Sequence, residues 1–204
     1  FIPLNNFEFK HRNEKFLDAC AAPGGKSFQI LSKGINIVLN DKNKHRIQIL
    51  KSNLDRLKFK ASILNMDFTK FDSKERYDVI ILDAPCSAIG TIRKNPEILF
   101  KNKGPNLTEL ISLQENMLRK ASILLNKGGF IIYMTCSFLK IETFDQINKF
   151  LLKNNNFTLS NFKPLKNSIN HSKLVKDNYM LTLPNMILNY TIDGYFSANL
   201  KKIK

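Results

Sequence analysis

Two short runs in this chain place a cysteine where it could act as a nucleophile: Asp83-Ala84-Pro85-Cys86-Ser87 and Thr135-Cys136-Ser137. The thiolate is the reactive form, and a thiol near neutrality is only a few per cent ionised. Such a residue therefore needs a cationic or hydrogen-bonding neighbour. One reaction class suits a pair of them. Carbon 5 of a pyrimidine is a poor nucleophile, but a thiolate adding to carbon 6 makes it enamine-like and able to attack a sulfonium methyl group. The carbon-5 proton must then leave and the thioether must be eliminated, a release that a second cysteine beside the first could assist. A lone strand cysteine is usually a small buried hydrophobe. Two of them, each leaving a strand and each followed by Ser, favour chemistry.

A second constellation points to a nucleoside cofactor. Phe16 to Ser27 reads as a strand, a tight loop (Cys20, Ala21, Ala22, Pro23, Gly24, Gly25, Lys26) and a helix start. Small residues let backbone N–H groups approach a ligand, and a helix start favours its anionic part. Asp41 ends the next strand, where a carboxylate can hold ribose hydroxyls, and Asp67 ends the one after. A nucleotide hydrolase is the rival reading. Cys20 to Ser27 nearly matches G-x-x-x-x-G-K-[ST], and Val79 to Asp83 resembles a magnesium-holding strand end. Cys20 replaces the first glycine of that loop, and Pro23 removes one N–H from its phosphate cradle. That reading also leaves Asp41, Cys86 and Cys136 without a role.

The elements that must position these residues alternate between short apolar runs and helical periods, which predicts a mainly parallel α/β sheet. Strands are expected at Phe16–Cys20, Ile35–Asn40, Ala61–Met66, Val79–Leu82 and Phe130–Thr135. Helices are expected at Ser27–Ser32, Lys44–Leu57, Leu107–Leu125 and Ile141–Leu152, with Asn126 to Gly129 stopping the longest. Beyond Phe157 the pattern becomes short antiparallel strands with turns at Leu183-Pro184-Asn185 and Asp193-Gly194. Lys153 to Asn156 and Lys163 to Asp177 read as polar loops. Asp18, Asp41, Asp67, Asp83 and Cys136 all fall at or near strand carboxyl ends, the edge where open α/β sheets bind ligands.

Bulk composition bounds the partners. The chain has 204 residues, within the range of one domain, and 43% hydrophobic content suits a soluble globular fold. Thirty-two Lys plus Arg against 17 Asp plus Glu leave a net charge of +15, which suits a phosphate backbone as partner. Solvated lysines on every face would give the same count. No apolar run approaches the roughly 20 residues of a membrane span, and Phe1 to Arg12 lack the pattern of a signal peptide. Three cysteines without metal-ligand spacing point to free thiols in a reducing, cytoplasmic setting, with no metal centre.

Taken together, Asp18 to Ser27, Asp83 to Cys86, Thr135 to Ser137 and Asp193-Gly194-Tyr195-Phe196-Ser197-Ala198 resemble the Sun/Nol/Nop (RsmB-like) family of S-adenosylmethionine-dependent RNA cytosine-5 methyltransferases. The resemblance runs over nearly the whole chain, in the family's motif order. It implies a Rossmann-like class I methyltransferase fold: a mostly parallel seven-stranded sheet with the last strand antiparallel and helices on both faces. It implies Cys136 as nucleophile and Cys86 as the cysteine that promotes release. The Cys20 to Lys26 loop would hold the methionine part of the cofactor, with Asp41 on the ribose and Asp67 beside the adenine. Asp83 would lie between cofactor and base, Lys26 would orient the base, and Arg93 and Lys94 would shape the RNA path. The implied substrate is RNA, small-subunit rRNA ahead of tRNA, handled by a monomer.

Two departures shape the expectation. The family's acidic pair and Asn after the nucleophile are reduced here to Glu142, which predicts a loosely supported nucleophile loop. Few residues precede Phe16, so residues 1–204 read as one catalytic domain without the family's N-terminal RNA-binding segments. A non-catalytic remnant that binds cofactor or RNA is therefore the second alternative.

Overall fold

Tyr77–Asp83 forms strand β4, and its central run Val79-Ile80-Ile81-Leu82 is at most 2% exposed, as expected of a parallel strand covered on both faces. Alternation along it divides the core. Ile80 and Leu82 pack with Leu17, Ile131 and Tyr133 in one cluster; Val79 and Ile81 join Phe16, Leu39, Ile132 and Met134 in the other. The computed structural model describes residues 4, 14–100, 106–162, 174–183 and 192–204.

The parallel part of the sheet comprises β1 (Phe16–Asp18), β2 (Ile37–Asn40), β3 (Ser62–Leu64), β4 and β5 (Leu125–Thr135). Later come β6 (Phe157–Ser160), β7 (Val175–Lys176), β8 (Tyr179–Thr182) and β9 (Tyr195–Lys202). The order is β3-β2-β1-β4-β5-β9-β8-β7, and β6 also pairs with β9. Because the chain builds outward from β1 in both directions, the β1/β4 boundary is a topological switch point, where a crevice opens at the strand ends.

Helices cover both faces. α1 (Gly25–Leu31) and α2 (Lys44–Leu57) place Ile30, Ile47, Leu50 and Leu54 in the second cluster. α3 (Leu107–Leu124) and α4 (Phe144–Lys153) place Met117, Leu118, Ala121, Ile147 and Phe150 in the first. Local sequence explains their starts. Asn43 caps α2 by accepting from the Arg46 N–H, and Asn106 caps α3 by accepting from those of Thr108 and Glu109. None of the described helices is long and apolar enough to cross a membrane.

The Rossmann-like class I arrangement expected from sequence is present, including the antiparallel last strand. Among the described residues the sheet has nine strands instead of seven. β8 and β6 divide one edge of β9 between them, pairing with Tyr195 to Ala198 and Asn199 to Lys202 respectively, and β7 extends the edge beyond β8. β5 starts at Leu125, so Asn126 to Gly129 is strand and not a separating turn; the Asn126 amide donates to Asp78 at 2.8 Å, where the register with β4 shifts. The helix expected at Ile141–Leu152 is broken. A 3-10 turn spans Lys140–Glu142, Thr143 adopts φ −123° and ψ −101°, and α4 begins afterwards. The polar segment expected to end at Asp177 contains β7. Its residues 163–173, the Pro184-Asn185 part of the expected turn and all but Leu4 of residues 1–13 lie outside the described residues.

Candidate active site

Cys86 follows β4 and Cys136 follows β5, and parallel pairing of these strands, with Asp83 opposite Met134, brings the two loops side by side. The sulfur atoms are 3.3 Å apart, and both residues are partly buried. The hydrogen bond they share lowers the Cys136 thiol and raises that of Cys86. Around that bond, burial and the Asp83 carboxylate disfavour charge on Cys136 while Lys26 favours it; at Cys86, burial and the nearby Glu142 carboxylate both disfavour charge. Of the two thiols, Cys136 is the one more readily ionised.

Glu142 ties the two loops together. Fully buried, its carboxylate accepts from the Ser87 N–H (2.8 Å), the Ser87 hydroxyl (2.5 Å), the Ser137 hydroxyl (2.6 Å) and the Gln114 amide (3.2 Å). Ser87 and Ser137 are the residues that follow the two cysteines. The same Gln114 amide donates to the Pro85 carbonyl at 2.9 Å, and Gln146 donates to the Gln114 side-chain oxygen at 3.2 Å. The break at Thr143 ends the 3-10 turn one residue after Glu142. A single acid therefore supports both loops, contrary to the loose support expected from the missing acidic pair.

Asp83, at the end of β4, receives a donor on each carboxylate oxygen: Lys26 on Oδ2 and the Tyr195 hydroxyl on Oδ1 at 3.1 Å. The Lys26 ammonium also lies 5.5 Å from the centre of the Tyr195 ring. Backbone contacts close this end of the sheet. The Gly90 N–H donates to the Cys136 carbonyl (3.0 Å), and the Gly194 N–H donates to the Gly90 carbonyl (2.7 Å). A Cβ on Gly90 would lie 2.1 Å from the Gly194 oxygen, so this stack requires glycine.

Alongside runs a crevice lined by Ala19, Cys20, Asp41, Asp67, Pro85 and Met117, among others. Asp41 is 3% exposed; its Oδ1 accepts from the Asn43 N–H at 2.9 Å, whereas buried Oδ2 has no hydrogen-bond partner and has only Arg46 Nη1 at 3.5 Å. An acceptor left in this condition fits the hydroxyl donors of a ribose. Asp67 Oδ1 accepts from the N–H (3.0 Å) and hydroxyl (2.7 Å) of Thr69, which hold its carboxyl below the usual range while it lines the crevice. The loop above is pinned from outside. Arg46 donates to the Ala22 carbonyl, Asn53 donates to that of Pro23 at 3.1 Å, and Gly24 turns the chain at φ +112° into α1. Buried Asn40 joins three strand ends, donating to the Ala19 (3.0 Å) and Met66 (3.1 Å) carbonyls. Asp18 accepts from the Ser27 hydroxyl at 2.5 Å, and burial raises its carboxyl to about 6. Burial and the surrounding Asp carboxylates push the Cys20 thiol far up, so it is a wall of this crevice and not a second nucleophile.

With this geometry in view, residues 8–201 match the family described as 16S rRNA methyltransferase RsmB/F. The chain belongs to that family. It is 42% identical over 146 residues to ribosomal RNA small subunit methyltransferase B of Shewanella oneidensis, covering 69% of this chain and 34% of the relative. The corresponding Pasteurella multocida protein is 32% identical over 202 residues, covering 93% and 43%. The crystal structure of NSun6 from Pyrococcus horikoshii with SFG superposes with a TM-score of 0.79 at 26% identity, covering 95% of this chain and 49% of that one. The chain thus spans between a third and a half of the length of these relatives.

The family is one of rRNA methyltransferases that use S-adenosylmethionine, and membership in it leaves the nucleotide-hydrolase reading without support. Among the residues expected from sequence, the structure groups Cys86, Cys136, Asp83 and Lys26 in one cluster, with Cys20, Asp41 and Asp67 on the adjoining crevice. Arg93 and Lys94 lie nearby, but both are ion-paired with Asp193, at 3.1 and 2.6 Å. Gln114, Asn40 and Arg46 went unread in the sequence, as did the roles of Tyr195 and Glu142. A wider depression of about 700 Å³ lies elsewhere: it surrounds Glu14, Lys15, Asn36, Lys60 and Tyr77 at the opposite strand ends and is lined by none of the cysteines. No group of three or more His, Cys, Asp or Glu among the described residues is placed to hold a metal ion.

Proposed function

We propose that this chain methylates carbon 5 of cytosine in RNA, with small-subunit rRNA as substrate, through a covalent Cys136–cytosine adduct. The observation that carries the reading is the polarised cysteine pair, 3.3 Å apart, next to an Asp83 carboxylate braced by Lys26 and Tyr195. S-adenosylmethionine, when bound, supplies an electrophilic methyl group on sulfonium. Asp41 would hold its ribose, Asp67 would lie by the adenine, and the Cys20 to Lys26 loop would take the methionine part.

The Cys136 thiolate adds to carbon 6 of the base, while Asp83 accepts hydrogen bonds from the cytosine edge and Lys26 orients it. Carbon 5 gains nucleophilic character and would attack the sulfonium methyl, the S–CH3 bond breaking as the demethylated cofactor leaves as a neutral thioether. Once the carbon-5 proton has left to a base, the bond between sulfur and carbon 6 breaks and Cys136 departs as thiolate. The Cys86 thiol restores its hydrogen bond to that sulfur and so favours release. The target cytosine must lie outside a continuous helix, because the thiol has to reach carbon 6 past the ring edge. Arg93 and Lys94 engage the RNA backbone by exchanging Asp193 for phosphate.

Incubation with methyl-labelled S-adenosylmethionine and small-subunit RNA tests the reading, both alone and with an added N-terminal RNA-binding segment from a longer relative. Nucleoside analysis should find 5-methylcytidine. Label at any other atom, or cofactor binding without transfer under both conditions, contradicts it.

A further inference from the structure

The Tyr195 hydroxyl joins the start of the last strand to the end of β4. It belongs to the first residue of β9, yet it donates to Asp83 Oδ1 at 3.1 Å, 112 residues away. Lys26 occupies the other oxygen of the same carboxylate. We propose that Tyr195 is a positioning residue of the methyl-transfer centre, fixing the plane of the Asp83 carboxylate so that its remaining lone pairs face the cytosine edge. This rests on the cytosine-methylation reading above.

The geometry explains why a second donor matters. A carboxylate held at one oxygen swings about its terminal torsion, which is broad for Asp. Donors on both oxygens, arriving from different elements, leave one orientation. Both are themselves held. Tyr195 is next to Gly194, whose N–H is fixed on the Gly90 carbonyl, and the following residues Phe196 to Lys201 pair with Thr135 to Phe130 of β5. Lys26 lies in the first turn of α1 and also packs over the Tyr195 ring. Burial and the Asp83 carboxylate raise the Tyr195 phenol well above its ordinary value, so it remains a neutral donor whenever Cys136 can ionise. A Phe at this position would keep the ring, its packing and its contact with Lys26, and remove the donor alone.

Tyr195→Phe should therefore lower kcat for cytosine methylation about tenfold, while KM for RNA and the affinity for S-adenosylmethionine stay within about twofold of the parent. A parental kcat overturns the proposal, as does a loss confined to RNA or cofactor binding. A second measurement needs no turnover. In protein labelled with 13C-tyrosine, the Tyr195 Cζ resonance, assigned by its disappearance in Tyr195→Phe, should shift in Asp83→Asn at neutral pH. An unmoved resonance rejects the contact. Should the parent protein transfer no methyl group to cytosine, the functional reading falls and the positioning role with it, while the resonance still reports whether Tyr195 and Asp83 are bonded.

Discussion

Cys86 and Cys136 are separated by 50 residues in sequence and by 3.3 Å between their sulfur atoms. Adjacent parallel strands deliver them, and one buried carboxylate, Glu142, holds the serine after each. The pair is chemically unequal chiefly through the hydrogen bond between the sulfurs, which lowers Cys136 and raises Cys86; burial adds to the rise at Cys86, and at Cys136 the Lys26 ammonium works against burial and the Asp83 carboxylate.

This inequality predicts selective alkylation. Cys136 is lowered from the ordinary thiol value of 9.0, so iodoacetamide at pH 7 to 8 should label it ahead of Cys86 and Cys20, as mass spectrometry would show. Cys86→Ala removes the donor that chiefly stabilises the Cys136 thiolate, so the pH midpoint for Cys136 labelling should rise. A fall, or preferential labelling of Cys86, contradicts the assignment.

Glu142→Gln tests the support of the two loops. The amide nitrogen of Gln would face donors where a carboxylate oxygen now accepts them, leaving buried groups unpaired at a cost of about 1–3 kcal/mol. The melting temperature should fall by roughly 3–10 °C, and alkylation of Cys136 should lose its advantage over Cys86. Unchanged melting and selectivity would show that the loops hold their places without this residue.

Asp41→Ala should weaken S-adenosylmethionine about 10- to 100-fold in calorimetry, the loss of charge-assisted hydrogen bonds to a diol. Folding should persist, because one oxygen of this carboxylate has no hydrogen-bond partner in the protein. Parental affinity would move the ribose elsewhere.

Asp18 imposes a pH dependence of known sign. Its carboxyl titrates near 6 when folded, against 3.8 in its ordinary state, so the native protein binds more protons between these values. Its contribution to stability therefore declines as pH rises from about 4 to about 6, by on the order of 3 kcal/mol. In Asp18→Asn this slope should flatten in urea titrations across the same window. Parallel profiles in both proteins would contradict it.

The strand ends were legible because each apolar run stops at a residue of another type: Asp18, Asp41, Asp83 and Cys136 stand where alternation breaks. Parallel order then places them on one edge, so the cysteines and the crevice could be read together. The support of the site could not be read in the same way. Glu142 reaches Ser87 only through a contact 55 residues long, and its segment follows helical periodicity until Thr143 departs from it. Tyr195 looks like an ordinary strand aromatic until β9 returns beside β5. The divided edge of β9 was hidden too, because β6, β7 and β8 are two to four residues long and carry too little alternation to be counted.

The most direct measurement is covalent trapping on denaturing gels, with RNA and S-adenosylmethionine present. Cys86→Ala should accumulate a protein–RNA complex linked through Cys136, because addition and methylation proceed while release is impaired. Cys136→Ala and the double variant should form none. Absence of a complex from Cys86→Ala with cofactor demonstrably bound, or its presence in Cys136→Ala, would contradict the two-cysteine mechanism.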